Sequence, residues 1–289
     1  MIIRNENYDV AIVGGGISGL MCAYRLVEKH PELKIVLIER GPALDKRRCP
    51  ILQKKVQTCI RCKRCSIMEG MAGAGAFSDG KYVISTEYGG WLTDLLPDET
   101  VIGYIEQADS ILVSFGAPTE RYMPDNELKR LALKYDLHMA QAQVKHFGTD
   151  GNLKIMGNMI THLEKYITIY TETEVTDIDK SAHWLKCSTR DGRLDITADR
   201  IILALGRAGS RFFYKWCQDN DIPVENNQVD VGVRVELPAI VWEEFSRRIY
   251  EPKIKYRSKA YGDTTRMFCF NERGSVVIEN TDGVLTVNG

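Results

Sequence analysis

The sequence lacks a surplus of charge of either sign, because 38 lysine and arginine residues stand against 39 aspartate and glutamate residues. This balance argues against a dedicated nucleic-acid-binding or membrane-surface protein, since both classes need a large basic field. No apolar run is long enough to span a bilayer, and the first residues lead directly into an apolar strand instead of a leader peptide. We therefore expect a cytoplasmic protein without a membrane partner.

Recognisable hydrolytic machinery is also missing. The sequence shows no Ser-His-Asp or paired-carboxylate pattern, and its five histidines have no metal-ligand spacing. His146 precedes Gly148 and a helix start, but a lone histidine in such a place more often caps or packs than catalyses. The sequence therefore leaves the catalytic residues unknown.

What the sequence does contain is a dinucleotide-binding signature near its amino terminus. A short apolar run is followed by Gly14, Gly16 and Gly19 in the pattern G-x-G-x-x-G, and then by an apolar helical face. A second predicted strand ends at Glu39. The glycines permit a tight turn, close approach of a pyrophosphate and close helix packing, and Glu39 can accept hydrogen bonds from ribose hydroxyls. We expect an adenine dinucleotide to bind here.

After Arg40 the chain departs from the strand–helix alternation of an NAD dehydrogenase. The predicted elements are helices at about 98–115, 125–135 and 150–166, and a strand near 137–145. Asp191-Gly192 lies between two alternating runs and predicts a hairpin turn. A further buried strand is predicted to end in small residues at Gly206.

In this region the chain resembles the FAD-containing oxidoreductases of the glutathione-reductase-like superfamily. Those proteins lay a backbone valine of a T-x-V-x-x-I-type strand against adenine, and place a small strand end beside the FAD. The matching residues here are Val175 and the run Ala204-Leu205-Gly206, in which Leu205 replaces the usual threonine. The resemblance implies that FAD is the cofactor.

A closer resemblance is to the bacterial and archaeal proteins called uncharacterised FAD-dependent dehydrogenases. It rests on GAGAFSDGK at 73–81, LDKRRCP at 44–50 and VDVGVRVELP at 229–238, and it runs over essentially the whole chain. It implies an unassigned redox reaction on a small-molecule substrate, with NAD(P)H or another electron carrier as a further partner. Because the chain stops at VLTVNG, we expect it to lack the carboxy-terminal part that contacts the flavin in such proteins.

The expected fold is α/β, with a Rossmann-like FAD-binding domain of the ββα three-layer type and an inserted α+β substrate domain. We assign 1–91 and 168–225 to the FAD-binding domain, with a cysteine-rich insertion at 45–70, and 92–167 and 226–289 to a truncated substrate or cap domain. The residues expected to contact FAD are Gly14, Gly16, Ile17, Ser18, Gly19, Glu39, Arg40, Gly73, Ala74, Gly75, Ser78, Asp79, Gly80, Lys81, Val175, Ala204, Leu205 and Gly206. The glycine run from Gly73 suits a backbone that passes close to a phosphate or ribityl chain.

Four of the eight cysteines, Cys49, Cys59, Cys62 and Cys65, form the pattern C-P-x8-C-x2-C-x2-C among basic residues. Three cysteines at this spacing with a remote fourth beside proline can ligate a [4Fe–4S] cluster, whose charge the basic residues would offset. Structural zinc more often uses two separated C-x2-C pairs, and a dithiol that exchanges electrons with flavin needs only two cysteines. An iron–sulfur cluster is preferred, while zinc, redox thiols and a metal-free loop stay open.

The sequence thus predicts an FAD-dependent oxidoreductase of unknown substrate that transfers hydride through the flavin. Two other functions stay open: a non-catalytic FAD- or metal-binding fragment that acts as an interaction module, and a flavin-dependent RNA-modifying enzyme that uses the basic cysteine loop. Nucleic acid is the less expected partner, because no aromatic residues interleave with the basic ones. The sequence does not predict the oligomeric state.

Overall fold

The computed structural model describes residues 2–88, 90–226, 229–272, 274 and 276–288. Its helices are α1 (Ile17–Lys29), α2 (Asp98–Ser114), α3 (Asn126–Leu133), α4 (Gly148–Leu163), α5 (Ser210–Asp219) and α6 (Glu243–Ile249). Its strands are β1 (Ile2–Val13), β2 (Ile35–Ile38), β3 (Lys81–Ile84), β4 (Leu137–Met139), β5 (Gln143–His146), β6 (Thr168–Tyr170), β7 (Glu174–Asp179), β8 (Trp184–Ser188), β9 (Gly192–Leu203), β10 (Ile254–Arg257), β11 (Thr264–Arg266), β12 (Val277–Thr281) and β13 (Val284–Asn288). Within these ranges, none of the helices has the length and apolar character needed to cross a membrane.

The chain divides into two compact units. The first consists of Met1–Phe77, Met156–Gly232 and Ile278–Val287, and the second mainly of Ser78–Ile155 and Val233–Val277. These boundaries describe packing and do not say what each unit binds. The predicted division into an FAD-binding and a substrate domain therefore stays a prediction.

The first unit is built on a six-stranded sheet of order β6-β2-β1-β9-β8-β7. Strands β6, β2, β1 and β9 run parallel, whereas β9, β8 and β7 are joined as antiparallel neighbours. The predicted hairpin at Asp191-Gly192 is confirmed as the connection between β8 and β9. This mixed sheet, with its parallel strands and its strand–turn–helix start, confirms the predicted α/β fold of Rossmann type.

Apolar side chains cover the parallel strands of this sheet. All four residues of β2 are buried, as expected for a parallel strand that is covered on both faces. On one face Ala11 and Val13 pack with Val36 and Ile38, in a cluster that continues across the antiparallel strands to Leu185. Full burial of one such aliphatic side chain contributes about 1.5–3 kcal/mol, so this cluster fixes the strand ends from which the site is built.

The second unit contains two smaller antiparallel sheets. In one, β3 pairs with β5, and in the other, β10 lies between β11 and β4. The single strand predicted near 137–145 is therefore wrong, because that stretch forms β4 and β5 in two different sheets. The break between them occurs where the N–H of Ala140 donates to the carbonyl of Lys253 at 2.9 Å.

Candidate functional site

A cavity of about 580 Å³ lies in the first unit, at the carboxyl ends of β1, β2 and β9. Its lining combines the turns that follow these three strands with the loop at 68–75 and with residues 173–175. A volume of a few hundred cubic ångströms is typical of small-molecule sites, and the carboxyl edge of a parallel sheet is where α/β proteins bind ligands. The cavity therefore lies where the sequence predicts a cofactor.

The turn after β1 depends on glycine for space. Gly14 has a φ of +112°, and a Cβ atom at this position would lie 2.2 Å from the carbonyl oxygen of Ala204. A Cβ atom on Gly19 would lie 2.0 Å from the carbonyl oxygen of Gly14. The first and third glycines of the motif thus hold strand β1, helix α1 and the end of β9 together, as the motif predicts.

The amino terminus of α1 faces the cavity, where Gly16, Ile17 and Ser18 are part of the lining. Gly16 is the N-cap and makes no side-chain capping bond, and the first turn contains no acidic residue. The first backbone N–H groups of a helix have no partner within the helix, and the helix dipole adds partial positive charge there. This end of α1 can therefore hold a phosphate group.

Glu39 is buried at the end of β2, with 7% of its surface exposed. Its carboxylate accepts hydrogen bonds from the backbone N–H groups of Gly15 at 2.8 Å, Gly41 at 2.7 Å and Gly70 at 3.1 Å. The side chain therefore fixes three turns that surround the cavity. Two carboxylate oxygens have about four lone-pair sites, so three N–H groups leave room for one more donor. The predicted contact with ribose stays a prediction that this geometry permits.

Arg40 lines the cavity, but its guanidinium is already engaged. Its Nε lies 2.8 Å from Oε2 of Glu69, and its Nη2 donates to the carbonyl of Ala208 at 2.9 Å. Burial raises the pKa of the Glu69 carboxyl, and the charge of Arg40 opposes that shift. The pair ties the loop after β2 to the loop at 68–75 and to the turn after β9.

A buried arginine organises the loop that closes this side of the cavity. Arg47, which is 2% exposed, donates hydrogen bonds of 2.7–2.9 Å to the carbonyls of Ser66, Ile67, Met71 and Gly73. Burial lowers the pKa of its guanidinium to about 10. Sequence reasoning placed Arg47 only within a basic run, because no local pattern marks which arginine of such a run enters the interior.

The cysteine segment does not form the predicted ligand group. Cys49, Cys59 and Cys62 are half-buried and Cys65 is buried, and the described residues include no group of three or more His, Cys, Asp or Glu side chains that could hold a metal ion. Backbone bonds shape the segment instead. The carbonyl of Cys65 accepts from Met68 and Glu69, and the carbonyl of Cys62 accepts from the side chain of Asn280 at 3.1 Å. The structure therefore does not support the predicted iron–sulfur or zinc site.

The cavity brings together most of the residues predicted to contact FAD. Those in its lining are Gly14, Gly16, Ile17, Ser18, Glu39, Arg40, Gly73, Ala74, Gly75, Val175, Ala204, Leu205 and Gly206. Gly19 lies behind the lining, against Gly14. Ser78, Asp79, Gly80 and Lys81 are absent from the described lining and belong to the second unit.

Sequence reasoning missed several lining residues, among them Met68, Arg207 and Phe212. They reach the cavity through tertiary packing, and no motif distinguishes them in the sequence. Arg207 is a partial exception, because it directly follows the predicted strand end at Gly206. Its Nη2 lies 3.1 Å from the buried carboxylate of Glu279, which holds the side chain at the cavity edge.

The fold and the glycine-lined cavity define a dinucleotide-binding α/β protein. The chain belongs to the pyridine nucleotide-disulphide oxidoreductase family, whose model matches residues 8–231. That match covers the last six residues of β1, all of α1 and β2, and the later strands β7 and β9, whose ends also line the cavity. The finer assignment to uncharacterised FAD-dependent dehydrogenases stays a prediction.

Short segments of the chain are similar to segments of curated proteins, and these segments make up only about a tenth of each relative's length. The segment shared with L-2-hydroxyglutarate dehydrogenase, mitochondrial, of Nematostella vectensis is 49% identical over 41 residues, which is 14% of this chain and 9% of the relative. The segment shared with thiamine thiazole synthase of Coprinopsis cinerea is 54% identical over 35 residues, 12% of this chain and 11% of the relative. Glycine oxidase from Geobacillus kaustophilus aligns at 15% identity with a TM-score of 0.40, covering 72% of this chain and 59% of that one.

Proposed function

We propose that the chain binds FAD in the glycine-lined cavity and acts as an FAD-dependent oxidoreductase on a small-molecule substrate. The observation that carries this proposal is the meeting of α1, the Gly73–Gly75 turn and Glu39 around one cavity at the carboxyl edge of the parallel sheet. Membership in the pyridine nucleotide-disulphide oxidoreductase family supports a redox role.

The residues present fit the parts of FAD. The N–H groups at the start of α1 suit the pyrophosphate, and the buried carboxylate of Glu39 suits a ribose hydroxyl. The backbone around Val175 suits the adenine ring, as the sequence resemblance implies. At Gly73, a Cβ atom would lie 2.9 Å from the Cα of Gly16, so this turn can bring bare backbone against the cofactor.

Other residues of the cavity lining contribute apolar surface and positive charge. Met68, Leu205 and Phe212 supply apolar surface that excludes water from the ligand. Arg40 and Arg207 supply positive charge near the edge of the cavity, where each is held by a buried carboxylate. When bound, FAD supplies a hydride acceptor at the flavin ring.

We further propose a reducing, cytoplasmic setting and electron exchange with NAD(P)H or another carrier. All eight cysteines are free thiols, as is usual where glutathione and thioredoxin keep thiols reduced. A metal at the four clustered cysteines is not included, because their described side chains form no ligand group.

The test is purification of the protein without air, followed by visible spectroscopy and mass analysis of the released cofactor. We expect a yellow protein that releases FAD, whose flavin is bleached by dithionite and restored by air. Iron and zinc contents are measured on the same sample. Apoprotein that takes up no FAD in a titration would overturn the proposal, whereas a bound flavin that no reductant changes would favour a non-catalytic FAD-holding module.

A further inference from the structure

The segment VDVGVRV at 229–235 carries a strand signal that the fold does not use. Its four valines alternate with Asp230, Gly232 and Arg234, so an extended backbone would place all four on one face. In the structure, however, this valine segment belongs to no helix or strand. Valine strongly favours strands, so the sequence pattern and the observed pairing disagree at this point.

The four valines of this segment form an exposed apolar row. Val229, Val231, Val233 and Val235 have between 66% and 93% of their surface exposed. Within the described part of the chain, their backbone N–H and carbonyl groups take part in no backbone–backbone hydrogen bond. Single exposed apolar residues are normal, but a contiguous apolar row beside unpaired strand-forming backbone is typical of a surface that another chain covers.

An antiparallel pair made of two copies of the valine segment would cover this row. When the two-fold axis passes through Gly232, Val229 of one copy faces Val235 of the other. Val231 likewise faces Val233, and the symmetry makes each of these contacts twice. Facing Cβ atoms lie about 4.5–5.5 Å apart across antiparallel strands, so the valines would bury one another while the backbone groups gain hydrogen bonds.

The charges of the valine segment select this register. With the axis at Gly232, Asp230 faces Arg234 of the other copy on the opposite side of the paired strands, again twice. Directly opposed charges of opposite sign stabilise antiparallel strands, whereas like charges destabilise them. Moving the axis by one residue to Val233 would set Asp230 against Glu236. The segment is therefore complementary to itself in charge and in apolar surface, so the partner that it fits is a second copy of this chain.

The residues at the centre of the segment leave room for that partner. A Cβ atom on Gly232 would meet nothing within 4 Å, so the backbone here is open to the approach of a second chain. Arg234 is half-buried, and its Nη1 donates to the carbonyl of Cys269 at 3.3 Å. A guanidinium has five N–H donors, so this bond leaves donors for a carboxylate of the other copy.

We propose that the valine segment is a self-association strand, along which two copies of the chain pair antiparallel around Gly232. The pairing uses only consecutive residues of this one segment. It goes beyond the proposed function, because none of these residues belongs to the described lining of the cofactor cavity. Seven residues from each copy make a small contact, so we expect a weak homodimer with a dissociation constant on the order of 100 µM.

The test is sedimentation equilibrium of the purified full chain from about 5 to about 500 µM, a range in which mass action should raise the dimer fraction. Asp230→Arg sets two pairs of arginines across the axis and should weaken the dimer about tenfold or more. Arg234→Asp should weaken it similarly by opposing carboxylates. An equimolar mixture of these two variants restores both pairs of opposite charge, so it should dimerise as the wild type does.

The matched control is Glu236→Arg, which makes the same change of charge at an exposed residue that faces no charged residue in this register. It should leave the dissociation constant within about twofold of the wild-type value. Far-UV circular dichroism checks that each variant keeps the fold.

A second readout locates the axis without altering any charge of the segment. Gly232→Cys should form a disulfide between the two copies of residue 232, because directly opposed Cα atoms of antiparallel strands lie within disulfide range. Glu236→Cys, away from the axis, should form no disulfide with its own copy. Mass spectrometry of the oxidised peptides distinguishes these bonds from those of the native cysteines.

Three results would overturn the proposal. The first is a wild-type chain that stays monomeric at every concentration, and the second is a dimer that Asp230→Arg leaves intact. The third is dimer loss in Glu236→Arg together with no 232–232 disulfide in Gly232→Cys, which would place the contact elsewhere. None of these results depends on FAD, so the outcome is separate from the test of the proposed function.

Discussion

The segments 14–19 and 66–73 both contribute residues to the lining of the same cavity, but different forces hold them in place. The first segment is fixed by close backbone approach, with Gly14 against Ala204 and Gly19 against Gly14. The second is fixed by one buried cation, Arg47, that donates to four of its carbonyls. The comparison teaches that a cofactor loop can be specified by residues within it or by a single side chain outside it.

The largest expected effect comes from crowding the first segment. Gly14→Val would place a Cβ atom 2.2 Å from the Ala204 carbonyl oxygen at a φ of +112°. Overpacking together with the wrong backbone region should lower the free energy of unfolding by about 3 kcal/mol and abolish FAD binding. Urea unfolding and FAD titration measure the two effects.

The matched control is Gly103→Ala within α2, where a Cβ atom meets nothing within 4 Å. This change should stabilise the protein by up to about 1 kcal/mol, because alanine favours a helix more than glycine does. Equal stability loss in both variants would show that Gly14 has no special role in the turn.

Removing the Arg47 cation, which holds the second segment from outside, should have the next largest effect. Arg47→Met leaves four carbonyls, two of them buried and two partly buried, without their donor. This loss should lower the free energy of unfolding by about 2–4 kcal/mol and weaken FAD binding at least tenfold. Arg47→Lys should rescue little, because an ammonium cannot reproduce the planar fork of donors. Arg48→Met, one residue along and exposed, should change stability by less than about 0.5 kcal/mol. Similar denaturation midpoints for Arg47→Met and Arg48→Met would show that Arg47 does not hold the segment 66–73 in place.

Glu39 joins the two segments, and its neutralisation should have an intermediate effect. Glu39→Gln keeps one carbonyl oxygen for the N–H groups of Gly15, Gly41 or Gly70 but adds a donor that faces those N–H groups. We expect a loss of about 1–2 kcal/mol and roughly tenfold weaker FAD binding. Calorimetric titration measures the affinity, with the exposed Glu32→Gln as control. Unchanged affinity in Glu39→Gln would exclude a charge-assisted contact with the cofactor.

The smallest expected effect concerns the cysteines. Cys59→Ser, at a half-buried position in the loop, should leave the free energy of unfolding in urea within about 0.5 kcal/mol of the wild-type value. In native protein, iodoacetamide should label Cys59 and spare Cys187, which is 1% exposed and whose thiol pKa burial raises to about 12. Mass spectrometry of the peptides reads out the pattern. Protection of Cys59 that ends on adding a chelator would restore the metal-site hypothesis.

The same contrast explains what the sequence could predict. The β1–α1–β2 unit follows from local signals, since glycine spacing, apolar runs and a strand-ending Glu39 are all visible within about thirty residues. Arg47 could not be predicted, because its acceptors lie about twenty residues away and backbone carbonyls leave no mark in a sequence. For the same reason the apolar run before Gly14 predicts only Val10–Val13 of β1, because the earlier residues of this strand pair with β9, which begins at Gly192.

The second unit shows how little a local sequence pattern says about the neighbours of a single residue. His146 gave no signal in the sequence beyond its place before a helix, and the glycine-rich block assigned Asp79 and Lys81 to the cofactor. The pairing of β3 with β5 places Lys81 opposite His146, and Asp79 lies 2.9 Å from the His146 ring. The predicted cofactor contacts of Asp79 and Lys81 stay a prediction. A register of this kind depends on two stretches about sixty residues apart in the sequence, so propensity and spacing carry no information about it.

The segment around Glu279 and Asn280 has a consequence for how the protein is made. Glu279 holds Arg207 at the cavity edge, and Asn280 binds the carbonyl of Cys62, so the first unit draws on three stretches of chain that end at Val287. A growing polypeptide emerges from its amino terminus at about 5–20 residues per second. The glycine turn at residues 14–19 is therefore made about 260 residues before the segment that contacts Arg207 and Cys62. At that rate the first unit lacks the contacts of Glu279 and Asn280 for roughly 13–52 seconds after the turn has been made.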